Sequence, residues 1–437
     1  LKKMIEIFSI FSTLLSLFLF FNFPANYFLV NRISKLKFTF NESILINIIL
    51  NSNILLFFSF FSINSTYIFF IFVVASFFLI LKFHKGYISL IKKNLFFSTS
   101  FLIIFYSMSI LLIKSAYLEW DGLAHWLHKA TVYFQGGSYK DLSGLPFDYY
   151  PHLGTYIWAF FWKNSLMQIE YSGRLFYVFI FLISIFALKN KLTNKYSEFE
   201  KVVIIFILIF LSTNFFLFGG YQEYFLFFVF FTFSHFFIKF FLNRNINLYF
   251  IPEIFMILVT FSIMWIKQEG FFYYLILNFI FIIHSRINIK SKILYFIFVL
   301  LLIYLFYIIK NHYFGTLRFN QTIINDGTFK NLDFLYMFGK IVIISKYFII
   351  NFFKYPIWLL VLLSIFILEW KFSLLKNNKF IISYLILIFG FIFCIFLNTT
   401  DDVAWLVPLT LNRIVFATVG FLIFLNVDLF NKIKEKA

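Results

Sequence analysis

Charge is scarce in this chain: 13% of its 437 residues are Asp, Glu, Lys or Arg, against 62% that are hydrophobic. A soluble globular domain carries roughly twice that share of charge, so this class is excluded. Cysteine is reduced to Cys394, which sits in an apolar run and can form no intrachain disulfide. There is no Walker A sequence, no dinucleotide glycine fingerprint after a strand and no zinc-type cysteine spacing, so the familiar nucleotide and zinc sites are missing. No Pro-rich linker, internal repeat or polar low-complexity tail divides the chain. Acids number 19 against 37 Lys and Arg, a net charge of +18. The bases lie in short clusters between apolar runs, which makes them topology signals and not a nucleic-acid surface.

What is present is apolar sequence of membrane-spanning length, with a mean hydropathy of +0.90. Runs fall near 5–23, 43–61, 65–83, 95–116, 174–189, 201–218, 221–241, 249–266, 271–285, 291–311, 354–370, 380–397 and 411–429. They predict an all-α polytopic membrane protein with about 12–13 transmembrane helices. The first run has no small-residue cleavage site before Pro24 and reads as a retained helix. The 76 Phe residues read as codon bias filling lipid-facing positions, not as an aromatic stripe. The clusters Lys82/His84/Lys85/Lys92/Lys93, Lys189/Lys191/Lys195/Lys201, Lys239/Arg244, Arg286/Lys290/Lys292, Lys371/Lys376/Lys379 and Lys432/Lys434/Lys436 fall on one side, the predicted cytoplasm. Arg32, Lys35 and Lys37 conflict with Lys2 and Lys3 over the first helix. Parity requires 153–163 and 335–353 to lie at the interface instead of spanning. Four Asn-x-Ser/Thr sequences, at Asn41, Asn64, Asn320 and Asn398, are expected by chance in an Asn-rich chain.

With that topology every chemically suggestive stretch lands on the extracytoplasmic side: 120–152, 219–223, 267–270, the loop 312–334, and 398–413. On a helix, Asp121, His125 and His128 share one face at i, i+4 and i+7, with Trp120 and Trp126 along the membrane boundary. A carboxylate with two imidazoles can bind a divalent metal, or the carboxylate can act as a base. The bland alternative is an interfacial helix with a wet polar face. Further on, Pro151 can start a helix with Asp148 in a capping position, and Tyr150 and His152 flank it. Glu223 and Glu269 sit at the ends of apolar runs beside Gly219-Gly220 and Gly270, where a carboxylate needs water or a partner. Lys267 is such a partner or a phosphate ligand. Asp401, Asp402 and Trp405 precede Asn412-Arg413, which opens the last predicted helix, and that arginine is either a snorkelling anchor or a phosphate fork.

Several short motifs in this order resemble the GT-C superfamily of polytopic glycosyltransferases, above all bacterial members related to protein O-mannosyltransferases and lipid A aminoarabinose transferases. They are Trp120-Asp121 with Trp126 and Lys129-Ala130, then Tyr150-Pro151, Gly220-Tyr221-Gln222-Glu223, Trp265 to Gly270, and Trp405 with Asn412-Arg413. The resemblance covers roughly 95–429, with external loop 117–173, leaving 1–94 as additional helices and 430–437 as a basic tail. The chain departs from the pattern in carrying Asp121 without an adjacent acid, Glu119 lying two positions before it, and in having Gln222-Glu223 where a small residue and Asp are usual.

The resemblance implies transfer of a sugar from a polyprenyl-phosphate donor to a glycan, lipid or protein acceptor at the extracytoplasmic face of a bacterial cytoplasmic membrane. It implies Asp121 as base, with Arg413 and Lys267 on the phosphate and Glu223 and Glu269 positioning sugar hydroxyls or Lys267. Glu119, Trp120, His125, Lys129, Asp148, Tyr150 and His152 complete the expected substrate-binding set. No cofactor is required, and a divalent metal on Asp121, His125 and His128 stays open. Two competing expectations are a lipid-linked-sugar flippase or transporter, and an O-antigen polymerase or ligase. The latter calls for a late external loop rich in arginine, whereas 312–334 holds only Arg318.

Overall fold

The computed structural model describes residues 2–22, 38–115, 117–242, 251–315, 334–398 and 402–436. Pro24, Arg32, Lys35, Lys37, Arg244, Arg318, Asn320 and Asp401, named above, lie outside the described residues. Within them the chain is helical and contains no strand. Nine described helices are long and apolar enough to cross a membrane, or ten if Met337–Lys354 and Pro356–Phe372, bent by 93°, count as one broken span. This is an all-α, multi-pass membrane protein.

The count differs from the runs read in the sequence for a physical reason. Helices Ile251–Met264 and Gly270–His284 have 14 and 15 residues, roughly 21–23 Å of rise against a hydrocarbon core of about 30 Å. The run 201–218 is likewise broken, because its helix ends at Ser212 and a 3-10 turn follows at Phe215–Phe218.

The chain divides into two compact units. The first comprises Leu1–Asp148, His152–Phe228 and Asn431–Ala437. Its helices are α1 (Lys2–Phe21), α2 (Phe40–Ser59), α3 (Ser65–Lys82), α4 (His84–Lys93), α5 (Leu95–Ser115), α6 (His128–Phe134), α7 (Leu153–Lys163), α8 (Glu170–Ala187) and α9 (Glu198–Ser212). Helix α8 is the axis, buried from Tyr171 onward, with α1, α2, α5 and α7 packed around it. The N-terminal helices are therefore part of this body: Ser9 Oγ meets Tyr171 Oη at 2.8 Å and Asn41 Nδ2 donates to the Phe186 carbonyl at 3.2 Å.

Phenylalanine serves the interior as well as the lipid face. Phe20 and Phe21 interlock with Phe72, Phe160, Phe161, Phe176 and Phe179 at centroid distances of 4.9–6.0 Å, and ring pairs of this geometry add to the area they bury. Helix α7 is buried along nearly all of its length, so it is packed inside the unit instead of lying with one wet face.

The second unit comprises Tyr149–Pro151 and Val229–Phe430. Helix α10 (Glu223–Phe237) passes from the first unit into it, followed by α11 (Ile251–Met264), α12 (Gly270–His284), α13 (Ile289–Phe314), α14 (Phe334–Lys354), α15 (Pro356–Phe372), α16 (Lys379–Asn398), α17 (Val403–Leu422) and α18 (Phe424–Lys436). Pro356 opens α15, where its missing N–H costs nothing. Buried polar groups tie the bundle: Asn278 Oδ1 accepts from Thr260 at 3.3 Å and Tyr295 at 2.6 Å, and Trp358 Nε1 donates to the Val415 carbonyl at 3.0 Å. Helix α13 is mostly open to its surroundings, with 17% of its apolar window buried, as suits a lipid-facing element.

Candidate functional site

In the first unit the stretch after α5 forms a π-helical turn, Gly122–Leu127, that runs into α6. Such wide turns recur at functional sites because they redirect side chains that an α-helix would line up. Here the redirection separates the three residues expected on one face. Asp121 and His125 stay together, with Oδ1 and Nε2 4.0 Å apart and side-chain exposures of 13% and 7%. That is an ion-pair distance and not a hydrogen bond. His128 is turned out to solvent. Among the described residues no group of three His, Cys, Asp or Glu side chains could hold a metal ion.

The His125 ring is enclosed by Phe147 at 3.8 Å and Trp120 at 5.1 Å, both edge-on. Trp120 itself is 65% exposed. Trp126, expected beside it at the membrane boundary, is instead buried, and the Lys129 ammonium lies 5.5 Å from its ring. Glu119 is half-buried, and loss of water there pushes its carboxyl above the usual range.

The position of this turn is fixed by close backbone contact. The Glu119 N–H donates to the Gly219 carbonyl at 2.9 Å, and the Gly122 Cα sits 2.9 Å from where a Gly220 side chain would begin. A methyl group on Gly122 would run into the Gly219 carbonyl. Gly220 has φ +96°, a conformation only glycine adopts at no cost. The two glycines are thus the seat for residues 119–122.

Arg174 of α8, 1% exposed, secures both sides of that seat. Its fork takes both Glu170 carboxylate oxygens at 2.8 Å, and Nη1 also donates to the Phe218 carbonyl at 3.1 Å and the Tyr117 carbonyl at 3.3 Å. Sequence reasoning missed Arg174. The available signal was an acid four residues before a lone arginine that opens an apolar run.

Other expected residues have their own settings. Asp148 accepts from the Gly144 N–H at 2.9 Å, so it closes a turn within the loop, and the following helix begins at Leu153 with His152 as its N-cap. His152 is fully buried, bonded through Nε2 to Ser59 at 2.7 Å and flanked by Tyr139 at 4.2 Å, Phe60 and Tyr133. It is held by α2 and the loop's own aromatics. Glu223 is fully buried at the start of α10, next to Gln222, whose Oε1 accepts from Tyr177 at 3.0 Å.

In the second unit Lys267 and Glu269 form an ion pair at 3.5 Å in the turn between α11 and α12. Gly270 lets α12 start against the Ile263 carbonyl. Tyr150 stacks edge-on with Tyr149 at 5.0 Å. The Tyr149 carbonyl receives Lys310 Nζ at 2.6 Å, and that buried ammonium lies 5.4–5.8 Å from the rings of Trp265, Phe306 and Phe314. Lys310 also escaped the sequence reading, because a lysine at the end of an apolar run passes for a topology signal.

Arg413 is displaced from its expected place. It lies eleven residues beyond the Asp402 cap of α17, roughly 16–17 Å of rise, and the last helix is the separate α18. An arginine inside an apolar helix is a different object from an anchor at its mouth.

No protein-family description, curated protein or solved structure matches this chain.

Proposed function

We propose that the protein is a polytopic glycosyltransferase of the GT-C kind, which moves a sugar from a polyprenyl-phosphate donor to an acceptor hydroxyl at the extracytoplasmic face of a bacterial cytoplasmic membrane. The observation that supports this reading best is the Asp121–His125 couple, held at 4.0 Å on a clamped π-turn beside the exposed indole of Trp120. A carboxylate with an imidazole neighbour can take a hydroxyl proton, and an exposed indole face offers a stacking surface for the C–H face of a sugar ring. A lipid-phosphate donor also needs no nucleotide site.

In the proposed step Asp121 removes the proton from the acceptor hydroxyl. The acceptor oxygen bonds to the anomeric carbon, and the carbon–oxygen bond to the lipid phosphate breaks with its electron pair leaving on the phosphate. Cationic groups lower the cost of that developing charge. Lys267 and Arg413 are the cations that the resemblance assigns to this role, and Lys267→Met and Arg413→Gln test them independently of Asp121.

The deciding experiment is transfer from a panel of radiolabelled polyprenyl-phosphate sugars in membranes containing the native protein or Asp121→Asn. Transfer by the native protein and a loss of roughly 10²–10⁴-fold in an equally abundant variant is expected for removal of a general base. Full activity in the variant removes Asp121 from the reaction.

One observation favours a second reading: Arg413 lies within a candidate membrane-crossing helix, as in proteins that pass ionic substrates across a bilayer. A flippase moves lipid-linked sugar between leaflets of sealed vesicles with no acceptor present, whereas a transferase does not.

A further inference from the structure

In the first unit four of the lysines near helix ends are matched by acids. Lys189 and Lys201 share Glu198 at 3.0 and 2.9 Å, Lys434 meets Glu200 at 2.8 Å, and Lys432 meets Glu435 at 3.0 Å. Two basic turns of the second unit have no such match. Arg286, Lys290 and Lys292 lie in and just after the α12–α13 turn, and Lys371, Lys376 and Lys379 lie around the turn between α15 and α16. None of these six has a carboxylate partner among the described residues. The acid nearest in sequence, Glu369, has its Oε2 taken by the Leu375 N–H at 2.6 Å.

The two basic turns meet. His284, the last residue of α12, is joined through Nε2 to Ser383 Oγ of α16 at 2.8 Å. Lys379 stands one helical turn before Ser383 on α16, and Lys292 lies in the first turn of α13, which begins five residues past the end of the helix that His284 closes; burial first, and then these two ammonium groups, hold the imidazole below its usual range. Lys292 is half-buried and Lys379 exposed, which leaves the spot open to a ligand from solvent or from the membrane surface. Like charges gathered without a counter-charge repel, and a bound anion turns that cost into attraction.

We propose that His284, Ser383, Lys292 and Lys379 form a binding site for a phosphate group. Two ammonium groups and a hydroxyl supply hydrogen-bond donors to separate oxygens of a tetrahedral oxyanion, and the imidazole adds a charged donor once the anion is present. The same chemistry is offered by the headgroup of an anionic lipid and by a soluble phosphate. The site is independent of the transfer reaction proposed above and stands or falls without it.

The test is a pH titration of the histidines by NMR in the full-length protein, labelled at histidine and held in nanodiscs of phosphatidylcholine. Three conditions are compared: no addition, inorganic phosphate, and phosphatidic acid within the nanodisc. His84, exposed and bonded to the Leu81 carbonyl, serves as the reference for a general change in surface potential. The expected result is a rise of about one pH unit in the midpoint of His284 relative to His84 with at least one phosphate source, as an opposite charge at contact distance produces. A response to phosphatidic acid alone identifies a lipid headgroup, a response to inorganic phosphate alone a soluble ligand, and a response to both a general phosphate site. Lys379→Gln, at an exposed position, and the double variant Lys292→Gln/Lys379→Gln are expected to reduce and then abolish the rise. The proposal is overturned if His284 moves no further than His84 with either source, or if the double variant keeps the full response.

Discussion

Replacing Arg174 by leucine removes the fork on Glu170 and two donors, leaving the Tyr117 and Phe218 carbonyls to find other partners. Breaking a buried pair by deleting one member costs about 3–5 kcal/mol. Glu170 is 24% exposed and regains some water when left alone, which places the cost near the lower end of that range. For a unit of this size about 1 kcal/mol corresponds to about 2–4 °C in Tm, so a fall of about 6–12 °C is expected. Thermal unfolding of the detergent-purified protein, followed by tryptophan fluorescence, reads it directly. Arg174→Lys keeps the charge but not the fork and should fall between leucine and the native protein. A leucine variant that melts within 2 °C of the native protein would refute the idea that this clamp holds the Asp121 turn in place.

Gly122→Ala places a methyl group against the Gly219 carbonyl, and overpacking of this kind costs about 1–3 kcal/mol; a parallel loss of transfer activity and of Tm is expected, whereas His128→Ala, at an exposed position, should leave both unchanged. Lys310→Met retains the aromatic contacts of the stem but removes the donor to Tyr149, so hydrogen exchange in 145–151 should quicken, and unchanged protection there would show that the ammonium does not hold the loop. Glu200 has its carboxyl lowered to about 2, first by the Lys434 hydrogen bond. Because the folded value lies below the ordinary one, the tie is complete at pH 5 and is lost as the pH falls towards 2. Trypsin cleavage at Lys432 and Lys434 in the native protein should therefore be slow at neutral pH and faster in Glu200→Gln, and equal rates would refute the tie.

Fold class was legible in the sequence because a bilayer demands long apolar helices, and composition alone reveals them. Helix lengths were less legible, since 249–266 and 271–285 read as full spans while their helices have 14 and 15 residues. Around the Asp121 loop, the sequence identified a polar cluster but not its geometry. An i, i+4, i+7 argument assumes an α-helix, and the π-turn at Gly122–Leu127 breaks that assumption for His128 and buries Trp126. Arg174 and Lys310 were passed over because each sits at the margin of an apolar run, where a cation is usually a topology signal. Apart from Glu170, four residues before Arg174, their partners are main-chain carbonyls supplied by distant parts of the sequence, at Tyr117, Phe218 and Tyr149. No local pattern announces such a bond.

The last helix sets an order of events in biosynthesis. Asn431 Oδ1 accepts from the Thr193 N–H at 2.9 Å, its Nδ2 donates to the Lys191 carbonyl at 2.7 Å, and Lys434 reaches Glu200. These contacts belong to the unit that contains α1–α9, yet they are supplied from residues 431–436. The helices that enter the membrane first must wait, with the 191–200 turn unlatched, until the intervening helices have been threaded. A chain released after α17 would therefore lack every one of these contacts, and its 191–200 turn would be left without its latch.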